Sequence, residues 1–347
     1  MQKTVCLSLV IMNAFLLIPA TGQDSAAVPI SADAINAANM ATSFVVDDRP
    51  YIFAPEQAIG TPEQEPAAPT TPNPAIVRAQ VLLDQQGASP GVIDGYDGEN
   101  VRKAIMAFQA MSGMPVTGNV DAQVLARLET GQPVIGSYVI SAEDAADITG
   151  PTPADYAEKA QLAFLGYASV AEKLAERFHM DIDLLVALNP SSSFVEGETI
   201  QAAMADAART GVVTRIEADK TLRQVRAYDA QGMLVAAYPA TIGSEDNPSP
   251  SGSYLVEVVA PMPTYTYNPA INFQQGDNTE VLTIPPGPNG PVGTIWIALS
   301  KPTYGIHGTP EPSQIDKTGS HGCVRLSNWH AEELAGMVAP GVTVDFL

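Results

Sequence analysis

The sequence has few basic residues for its size. Among 347 residues, 17 Lys and Arg stand against 38 Asp and Glu, which gives a formal net charge of −21 at pH 7. Nucleic-acid binding needs clustered Lys and Arg side chains on phosphates, so this balance argues against a nucleic-acid partner. The same sign of charge disfavours electrostatic docking on anionic lipid.

Long apolar runs are missing after the N-terminus, and we expect no membrane span in the rest of the chain. Residues 1–22 differ, because Lys3 precedes an apolar stretch at residues 5–17 and small residues follow at positions 20–22. This layout predicts a secretory signal peptide and hence an exported protein. A buried N-terminal helix is the alternative.

Cysteine is nearly absent. The chain has two, Cys6 and Cys323, and removal of the signal peptide would leave Cys323 alone, without a disulfide partner in the chain. A lone cysteine in an exported protein is either a small buried hydrophobe or a reactive thiol. Its neighbours in the sequence favour the second interpretation.

The mature chain is predicted to begin with a tether and a helical module. Residues 23–73 are rich in Ala, Pro and acidic residues, a composition that predicts a disordered or semi-stiff tether. Residues 74–130 begin with Pro74 and repeat apolar residues at helical spacing, with Asn100 and Asp121 placed as helix N-caps. This pattern predicts a compact three-helix unit, the helical module.

Four short motifs within residues 74–130 carry a family resemblance. They are the run Val92-Ile93-Asp94-Gly95, the turn Asp97-Gly98, the pattern Ala104-x-x-x-Phe108-Gln109 and the pattern Val116-x-Gly118-x-Val120-Asp121. With them, the helical module resembles the small peptidoglycan-binding domain that is appended to many wall enzymes. The resemblance implies peptidoglycan, with its glycan strands and stem peptides, as a partner.

Residues 131–165 are predicted to be a linker, and residues 166–205 a small module. A capping box at Ser169 begins one short helix, Asp181 caps a second, and a strand at residues 194–200 would close the module. This order resembles a degenerate LysM, a glycan-binding module, although the Gly-Asp motif usual after its first strand is missing. A plain helical spacer is the alternative.

Residues 211–347 are predicted to form a mostly-β domain. Strand-like runs of β-branched and aromatic residues are separated by Gly, Asn, Asp and Pro. One clear helix, with Asn328 as its cap, lies near the end. The whole chain is therefore expected to be a multidomain α+β protein, with helical units before a mostly-β domain.

Three of the four His residues lie in this domain, and two of them flank the lone thiol in sequence. His307 lies in the motif I-H-G-T, and His321 precedes Gly322 and Cys323 in the motif S-H-G-C-V-R-L. A thiol becomes a good nucleophile when an imidazole takes its proton, and by sequence alone either His could be that base. Gly322 would let the backbone approach a substrate and leave nearby amides facing an oxyanion. This set predicts acyl transfer through a thioester.

A zinc site is the alternative for the same residues, since His and Cys are zinc ligands. The mature chain offers no second Cys and no H-x-x-x-H or H-E-x-x-H spacing. We therefore expect neither a metal nor another cofactor.

Both His-containing motifs, a turn at residues 249–252 and a Pro- and Gly-rich segment at residues 286–293 match the pattern of one enzyme family. With them, residues 211–347 resemble the L,D-transpeptidase domain of the YkuD type, and they are called the catalytic domain below. The resemblance implies that Cys323 is the nucleophile and that His307 is its general base. It also implies that the carbonyl of Gly308 orients the imidazole.

Other residues near this pair are expected to have supporting roles. Ser320, His321 and Gly322 are expected to support the nucleophile or the oxyanion. Arg325 and Tyr304 are expected to bind substrate, because a guanidinium fork suits a carboxylate. For Arg325, ordering of the local loop or pairing with a surface acid is the alternative.

Two loops of the catalytic domain, one at residues 261–280 and one around Asp316, have unusual sequences. Residues 261–280, between two predicted strands, are long and rich in Tyr and Pro, and we expect them to form a lid over the thiol. An ordinary surface insertion is the alternative. Asp316 stands where the family commonly has Gly, which leaves the shape of the loop around it open.

The implied reaction has two half-reactions. Cys323 would attack the carbonyl between the third-position diamino acid and the terminal D-Ala of a tetrapeptide stem, releasing D-Ala and leaving a thioester. The amine of another stem would then form a cross-link, whereas water would make the enzyme an L,D-carboxypeptidase and a lipoprotein Lys would attach protein to the wall. A non-catalytic wall-binding protein is the alternative, and the periplasm or cell wall is the expected location.

Overall fold

The computed structural model describes residues 30–42, 44, 71–204, 209–244, 247–271, 273–320 and 322–347. The predicted signal peptide, most of the predicted tether and His321 lie outside the described residues. Within the described ranges, no helix has the length and apolar composition needed to cross a bilayer.

The first helices begin where the sequence supplies caps. They are α1 (Ala32–Asn36), a 3₁₀ turn (Met40–Thr42), α2 (Pro74–Gln85), α3 (Glu99–Met111) and α4 (Ala122–Leu128). Pro74 starts α2 and the Asp121 carboxylate caps α4, both as predicted. The prediction of Asn100 as a cap is wrong, because the extended residue at the N-cap of α3 is Gly98 and Asn100 lies inside the helix.

Part of the predicted tether is folded. Residues 30–42 contain α1, and the side chain of Asn36 donates a hydrogen bond to the carbonyl of Ile135 at 2.9 Å. Three large apolar side chains in or just after this segment are buried in a core that the helical module shares: Ile35, Met40 and Phe44. The tether prediction is wrong here, because these residues supply the apolar burial that the Pro-rich stretch after them lacks.

Residues 131–205, the middle unit, fold around a two-stranded antiparallel sheet. Strand β1 (Ile135–Val139) pairs with β2 (Thr199–Ala203), and between them lie α5 (Tyr156–Lys159), α6 (Val170–Arg177) and α7 (Ile182–Leu188). Ser169 and Asp181 cap α6 and α7 as predicted. The prediction of a linker over residues 131–165 is wrong at β1 and α5, since the pairing partner of β1 is too far along the chain to leave a local signal. The resemblance to LysM stays a prediction.

The described part of the catalytic domain forms a nine-stranded sheet in the order β5-β4-β3-β13-β7-β10-β11-β12-β6. The pairs β3–β13 and β11–β12 are parallel and the others are antiparallel. Its strands are β3 (Arg215–Asp219), β4 (Gln224–Tyr228), β5 (Leu234–Pro239), β6 (Thr241–Ile242), β7 (Gly252–Pro261), β10 (Ile295–Leu299), β11 (Gly305–His307), β12 (Val324–Arg325) and β13 (Thr343–Phe346). The predicted mostly-β class is confirmed.

Two smaller features complete the catalytic domain. Strands β8 (Tyr265–Tyr267) and β9 (Leu282–Ile284) pair as a separate antiparallel ribbon, and a 3₁₀ turn spans Pro312–Gln314. Helix α8 (Asn328–Met337) lies near the end of the domain as predicted, packed on β10 and β11. The cap is not Asn328, since Ser327 occupies the N-cap position and its hydroxyl accepts from the His330 N–H.

The preceding units share buried surface with the catalytic domain. Apolar side chains of the helical module and the middle unit form one core, which also includes Ala237 of β5. The N–H of Ser89 donates to the Ala237 carbonyl at 2.9 Å. The strands that hold the motif residues are therefore built on a scaffold that both preceding units contact.

Candidate active site

The predicted base lies on β11, and the predicted nucleophile directly precedes the neighbouring strand β12. β11 and β12 are parallel, with His307 opposite Arg325 and Ile306 opposite Val324. The pairing of these two strands therefore brings the chain around Cys323 close to the strand that ends with His307.

The ring of His307 is buried and held at one nitrogen. Its Nδ1 lies 2.7 Å from the Gly308 carbonyl oxygen, and the ring stacks on Trp296 with 5.5 Å between centroids. A carbonyl oxygen only accepts, so Nδ1 carries the proton and Nε2 keeps a lone pair. Burial lowers the pKa of His307 to about 4, against the raising effect of the Gly308 hydrogen bond, and the charge of Arg325 lowers it further. The imidazole is therefore neutral at neutral pH.

The thiol of Cys323 is half-buried. Its Sγ donates to the Thr303 carbonyl oxygen at 3.7 Å, and within the described part of the chain no hydrogen bond joins it to His307. Burial raises the pKa of the Cys323 thiol, and a hydrogen bond from the backbone of Gly305 opposes that rise. The resting pair is accordingly a thiol beside a neutral imidazole rather than a thiolate–imidazolium pair.

The backbone that leads into Cys323 is fixed from both sides. The hydroxyl of Ser320 donates to the Cys323 carbonyl at 2.6 Å and accepts from the Gly243 N–H at 2.8 Å. The hydroxyl of Ser249 donates to the Gly322 carbonyl at 2.7 Å. Ser320 thus holds the backbone of Cys323, and its supporting role stays a prediction.

The position of Gly322 requires glycine. Its φ is +98°, in the region that side chains disfavour, and a Cβ there would lie 3.0 Å from the ring of Tyr304. The ring of Tyr304 therefore packs against Gly322, next to Cys323, and substrate binding by Tyr304 stays a prediction. His321, between Ser320 and Gly322, lies outside the described residues.

Arg325 orders the loop before the nucleophile. Its Nη2 donates to the hydroxyl of Thr318 at 2.7 Å and to the carbonyl of Gly319 at 2.9 Å. Its Nε is buried and has no hydrogen-bond partner among the described residues. The contacts of Nη2 fit the loop-ordering alternative, and substrate binding by Arg325 stays a prediction.

Several neighbours of this site were not predicted. Burial raises the pKa of Tyr265, and Cys323 is among the groups close enough to raise it further. Burial raises the pKa of Tyr156 to about 12, and its electrostatic neighbours include Arg325 and Glu311. Tyr156 belongs to α5, inside the predicted linker, where no motif marks it; Tyr265 lies in the stretch whose Tyr content pointed to a lid.

The stretch expected to be a lid rests on α5. The ring of Tyr156 meets those of Tyr267 and Phe273 edge-on, at 5.2 and 5.9 Å between centroids. Asn278 donates to the Asp155 carboxylate at 2.9 Å, and the Tyr156 N–H donates to the side-chain oxygen of Gln275 at 3.0 Å. The middle unit therefore supports the segment that lies beside the thiol.

The loop around Asp316 is tied to the helical module. Asp316 has φ +69°, a conformation that favours glycine, which accounts for Gly being common at this position in the resembling family. Its carboxylate lies 2.6 Å from Nζ of Lys103, whose side chain is fully buried on α3, and 2.7 Å from Nε of Arg223. Asp316 thus lacks the backbone freedom of a glycine, but its carboxylate makes an ionic contact with Lys103 of the helical module.

Comparison with family models finds two matches. Residues 213–345 match YkuD, described as "L,D-transpeptidase catalytic domain", and residues 72–128 match PG_binding_1, described as "Putative peptidoglycan binding domain". Both resemblances predicted from sequence motifs are thereby confirmed.

Curated relatives carry the same catalytic name. "Putative L,D-transpeptidase YkuD" of Bacillus licheniformis is 34% identical over 130 residues, which cover 38% of this chain and 63% of the relative. The protein of the same name from Bacillus subtilis is 32% identical over 111 residues, covering 32% of this chain and 52% of the relative. The matches thus span between about half and two thirds of the relatives' own length.

Solved structures of L,D-transpeptidases also align. One from Xylanimonas cellulosilytica has 16% identity and a TM-score of 0.35, covering 81% of this chain and 98% of that chain. One from Mycobacterium smegmatis has 17% identity and a TM-score of 0.32, covering 44% of this chain and 74% of that chain.

Proposed function

We propose, from the premise that residues 213–345 form a YkuD-type L,D-transpeptidase catalytic domain, that this chain is an exported peptidoglycan L,D-transpeptidase of the periplasm or cell wall. Its nucleophile is Cys323 and its general base is His307. The acyl donor is a tetrapeptide stem, cleaved after its third-position diamino acid, and the acceptor is the amine of another stem. Residues 72–128 bind peptidoglycan and hold the catalytic domain at its substrate.

The parallel pairing of β11, which ends with His307, with β12, which directly follows Cys323, carries this proposal. A neutral imidazole with Nδ1–H bound to Gly308 presents a basic Nε2, and a thiol needs such a base. The thiol donates to the Thr303 carbonyl, so proton transfer requires the thiol to turn from that carbonyl towards the His307 ring. Such a rearrangement is common, because catalytic hydrogen bonds often form only when substrate binds.

In the first half-reaction, the thiol proton of Cys323 moves to Nε2 of His307 and the sulfur attacks the carbonyl carbon of the third residue. The carbon–nitrogen bond to D-Ala breaks, and the departing amine takes the proton back from the imidazolium. A carbon–sulfur bond, the thioester, remains. The N–H of Cys323 is a candidate to stabilise the oxyanion, since the carbonyl of Gly322 in the same peptide group is held by Ser249.

In the second half-reaction, an amine attacks the thioester, its proton passes to His307, and the sulfur leaves as the thiol. Tyr265, in the stretch at residues 261–280, is electrostatically coupled to Cys323, and this stretch would exclude water, which favours an amine over hydrolysis. A stem amine gives a cross-link between third-position residues. Water would give L,D-carboxypeptidase activity, and a lipoprotein Lys would give attachment of protein to the wall.

Incubation of the full chain with a purified disaccharide tetrapeptide tests the proposal. We expect a cross-linked dimer that has lost one D-Ala, identified by mass spectrometry. Cys323→Ala should give no dimer while its circular dichroism spectrum and thermal midpoint stay close to the parent's. Dimer formed by this variant would reject the thiol mechanism.

Exposure to a carbapenem separates the enzyme from a non-catalytic wall-binding protein. The enzyme should gain the mass of the drug on Cys323, located by peptide mapping, and Cys323→Ala should gain none. An unmodified parent chain, together with binding to purified wall sacculi, would favour the binding protein.

A further inference from the structure

The side chain of Asn328 points into the protein instead of capping α8. Ser327 provides the cap, and Asn328 is 1% exposed. Its Oδ1 accepts from the Thr294 N–H at 3.2 Å. Its Nδ2 donates to the Pro288 carbonyl at 3.2 Å and to the carboxyl of Glu176, with 3.0 and 3.2 Å to the two oxygens. Both donor hydrogens of the amide are thus used, so its orientation is determined.

The oxygen of this amide packs against the residue that holds His307. A Cβ on Gly308 would lie 2.3 Å from Oδ1 of Asn328, and a Cβ on Gly293 would lie 2.0 Å from the same atom. No side chain fits at either glycine, and the Gly308 backbone rests directly on Asn328. The Gly308 carbonyl is the atom that binds Nδ1 of His307. A shift of the Asn328 amide would therefore move Gly308, and with it the carbonyl that holds the His307 imidazole.

Glu176 belongs to α6 of the middle unit and is 7% exposed. Within the described residues, the carboxyl of Glu176 accepts hydrogen bonds from the side-chain amide of Asn328. A buried polar group is tolerated only when it is hydrogen-bonded, and loss of this acceptor would leave Nδ2 of Asn328 partly unsatisfied. The amide would then be free to rotate towards another acceptor.

We propose that Asn328 and Glu176 are positioning residues that orient the imidazole of His307 through Gly308, so that the middle unit completes the catalytic site. The catalytic consequence rests on the function proposed above, but the orientation of the ring does not. A contact from outside the catalytic domain thus holds the base in its tautomer.

The test compares Glu176→Met, Glu176→Gln and the parent chain. Met fills a similar volume without an acceptor, whereas Gln restores a carbonyl oxygen for Asn328. ¹⁵N spectra of the imidazole groups report the tautomer of each His, and the His307 signal is identified by its loss in His307→Ala. We expect the Nδ1–H signature of His307 in the parent and in Glu176→Gln, and a mixed or shifted signature in Glu176→Met.

Turnover of the tetrapeptide supplies the second measurement. Misplacement of a base lowers kcat more than KM, so kcat of Glu176→Met should fall about tenfold or more while KM changes less than about twofold. Glu176→Gln should recover most of kcat. Asn328→Ala is a second variant with the same expected signature, in case Glu176→Met folds poorly by circular dichroism.

Glu172→Met is the matched control. Glu172 lies one turn earlier on α6 and accepts from the amide of Asn289 at 2.8 Å, another contact with the catalytic domain that does not touch Gly308. This variant should keep the His307 signature and kcat. A folded Glu176→Met or Asn328→Ala with the parent's signature, or an equal loss in Glu172→Met, would overturn the proposal. A parent chain with the expected signature but no turnover would instead reject the proposed function.

Discussion

The imidazole of His307 is held in one tautomer by a single backbone carbonyl, that of Gly308, at 2.7 Å. The motif around it predicted the identity of the base but not its protonation state, which depends on burial. The assignment of the base to His307 over His321 rests on the family resemblance, because both residues precede Cys323 in sequence. The pairing of β11 with β12 brings His307 next to the strand that directly follows Cys323.

Replacement of the two histidines tests this assignment. The rate of Cys323 acylation by a carbapenem should fall about 10²–10⁴-fold in His307→Ala, the range for loss of a general base. His321→Ala should lose less than about tenfold, as expected for a supporting contact. Rates come from intact-mass measurements over time, with thermal midpoints as the folding control. The opposite ranking would make His321 the base.

The acid limb of the same reaction reports the pKa of the base. Burial lowers the pKa of His307 to about 4 from its usual 6.5, so the ring stays neutral until the pH falls to that range. The acylation rate should therefore be nearly flat from about pH 8 to pH 5 and fall below it. Circular dichroism at each pH controls for unfolding. A limb between about pH 6 and 7 would show that the ring titrates as if exposed.

At the scale of elements, the short helix α5 supports the stretch at residues 261–280. It has only four residues, Tyr156–Lys159, too few for a periodic pattern, which is why the sequence predicts a linker there. Its effect comes from rings and amides contributed by residues that follow far along the chain, such as Tyr267 and Asn278. Such contacts have no local signature.

Removal of the Tyr156 ring on α5 should increase hydrolysis of the thioester relative to transfer to an amine. Tyr156→Ala deletes edge contacts to Tyr265, Tyr267 and Phe273, which should loosen the segment beside the sulfur and admit water. The ratio of cross-linked dimer to hydrolysed tripeptide should fall several-fold. Tyr254→Ala, which removes an edge contact to Phe346 on the same sheet, is the control and should keep the ratio. An unchanged ratio in Tyr156→Ala would contradict a lid role.

At the scale of the whole molecule, local patterns predicted the modules and long-range packing decided their extent. The helical periodicity of residues 74–130 and the β-rich composition after residue 211 are local, and both led to the observed elements. The burial of Ile35 and Phe44 depends on a core made by later residues, so composition alone suggested a tether. The inward turn of Asn328 likewise depends on Glu176, which lies 152 positions earlier.

The ion pair between Lys103 and Asp316 should be a major contact between the helical module and the catalytic domain. Lys103→Met leaves a carboxylate of low exposure with Arg223 alone, and should lower the free energy of unfolding by about 3 kcal/mol in chemical denaturation. Lys220→Met removes a Lys that bonds Ser251 at the surface, and should cost less than about 1 kcal/mol. Equal costs would show that the buried pair adds nothing to docking.

The position of β13 has a consequence for the order in which the protein can mature. This strand comes last in sequence among the described elements, yet it lies between β3 and β7 inside the sheet. While the chain is still emerging from the ribosome or a translocation channel, the strands on either side have no common neighbour. The two groups of strands, β5-β4-β3 and β7-β10-β11-β12-β6, can join into one sheet only after residues 343–346 have been released, so a nascent chain would hold the two groups unjoined.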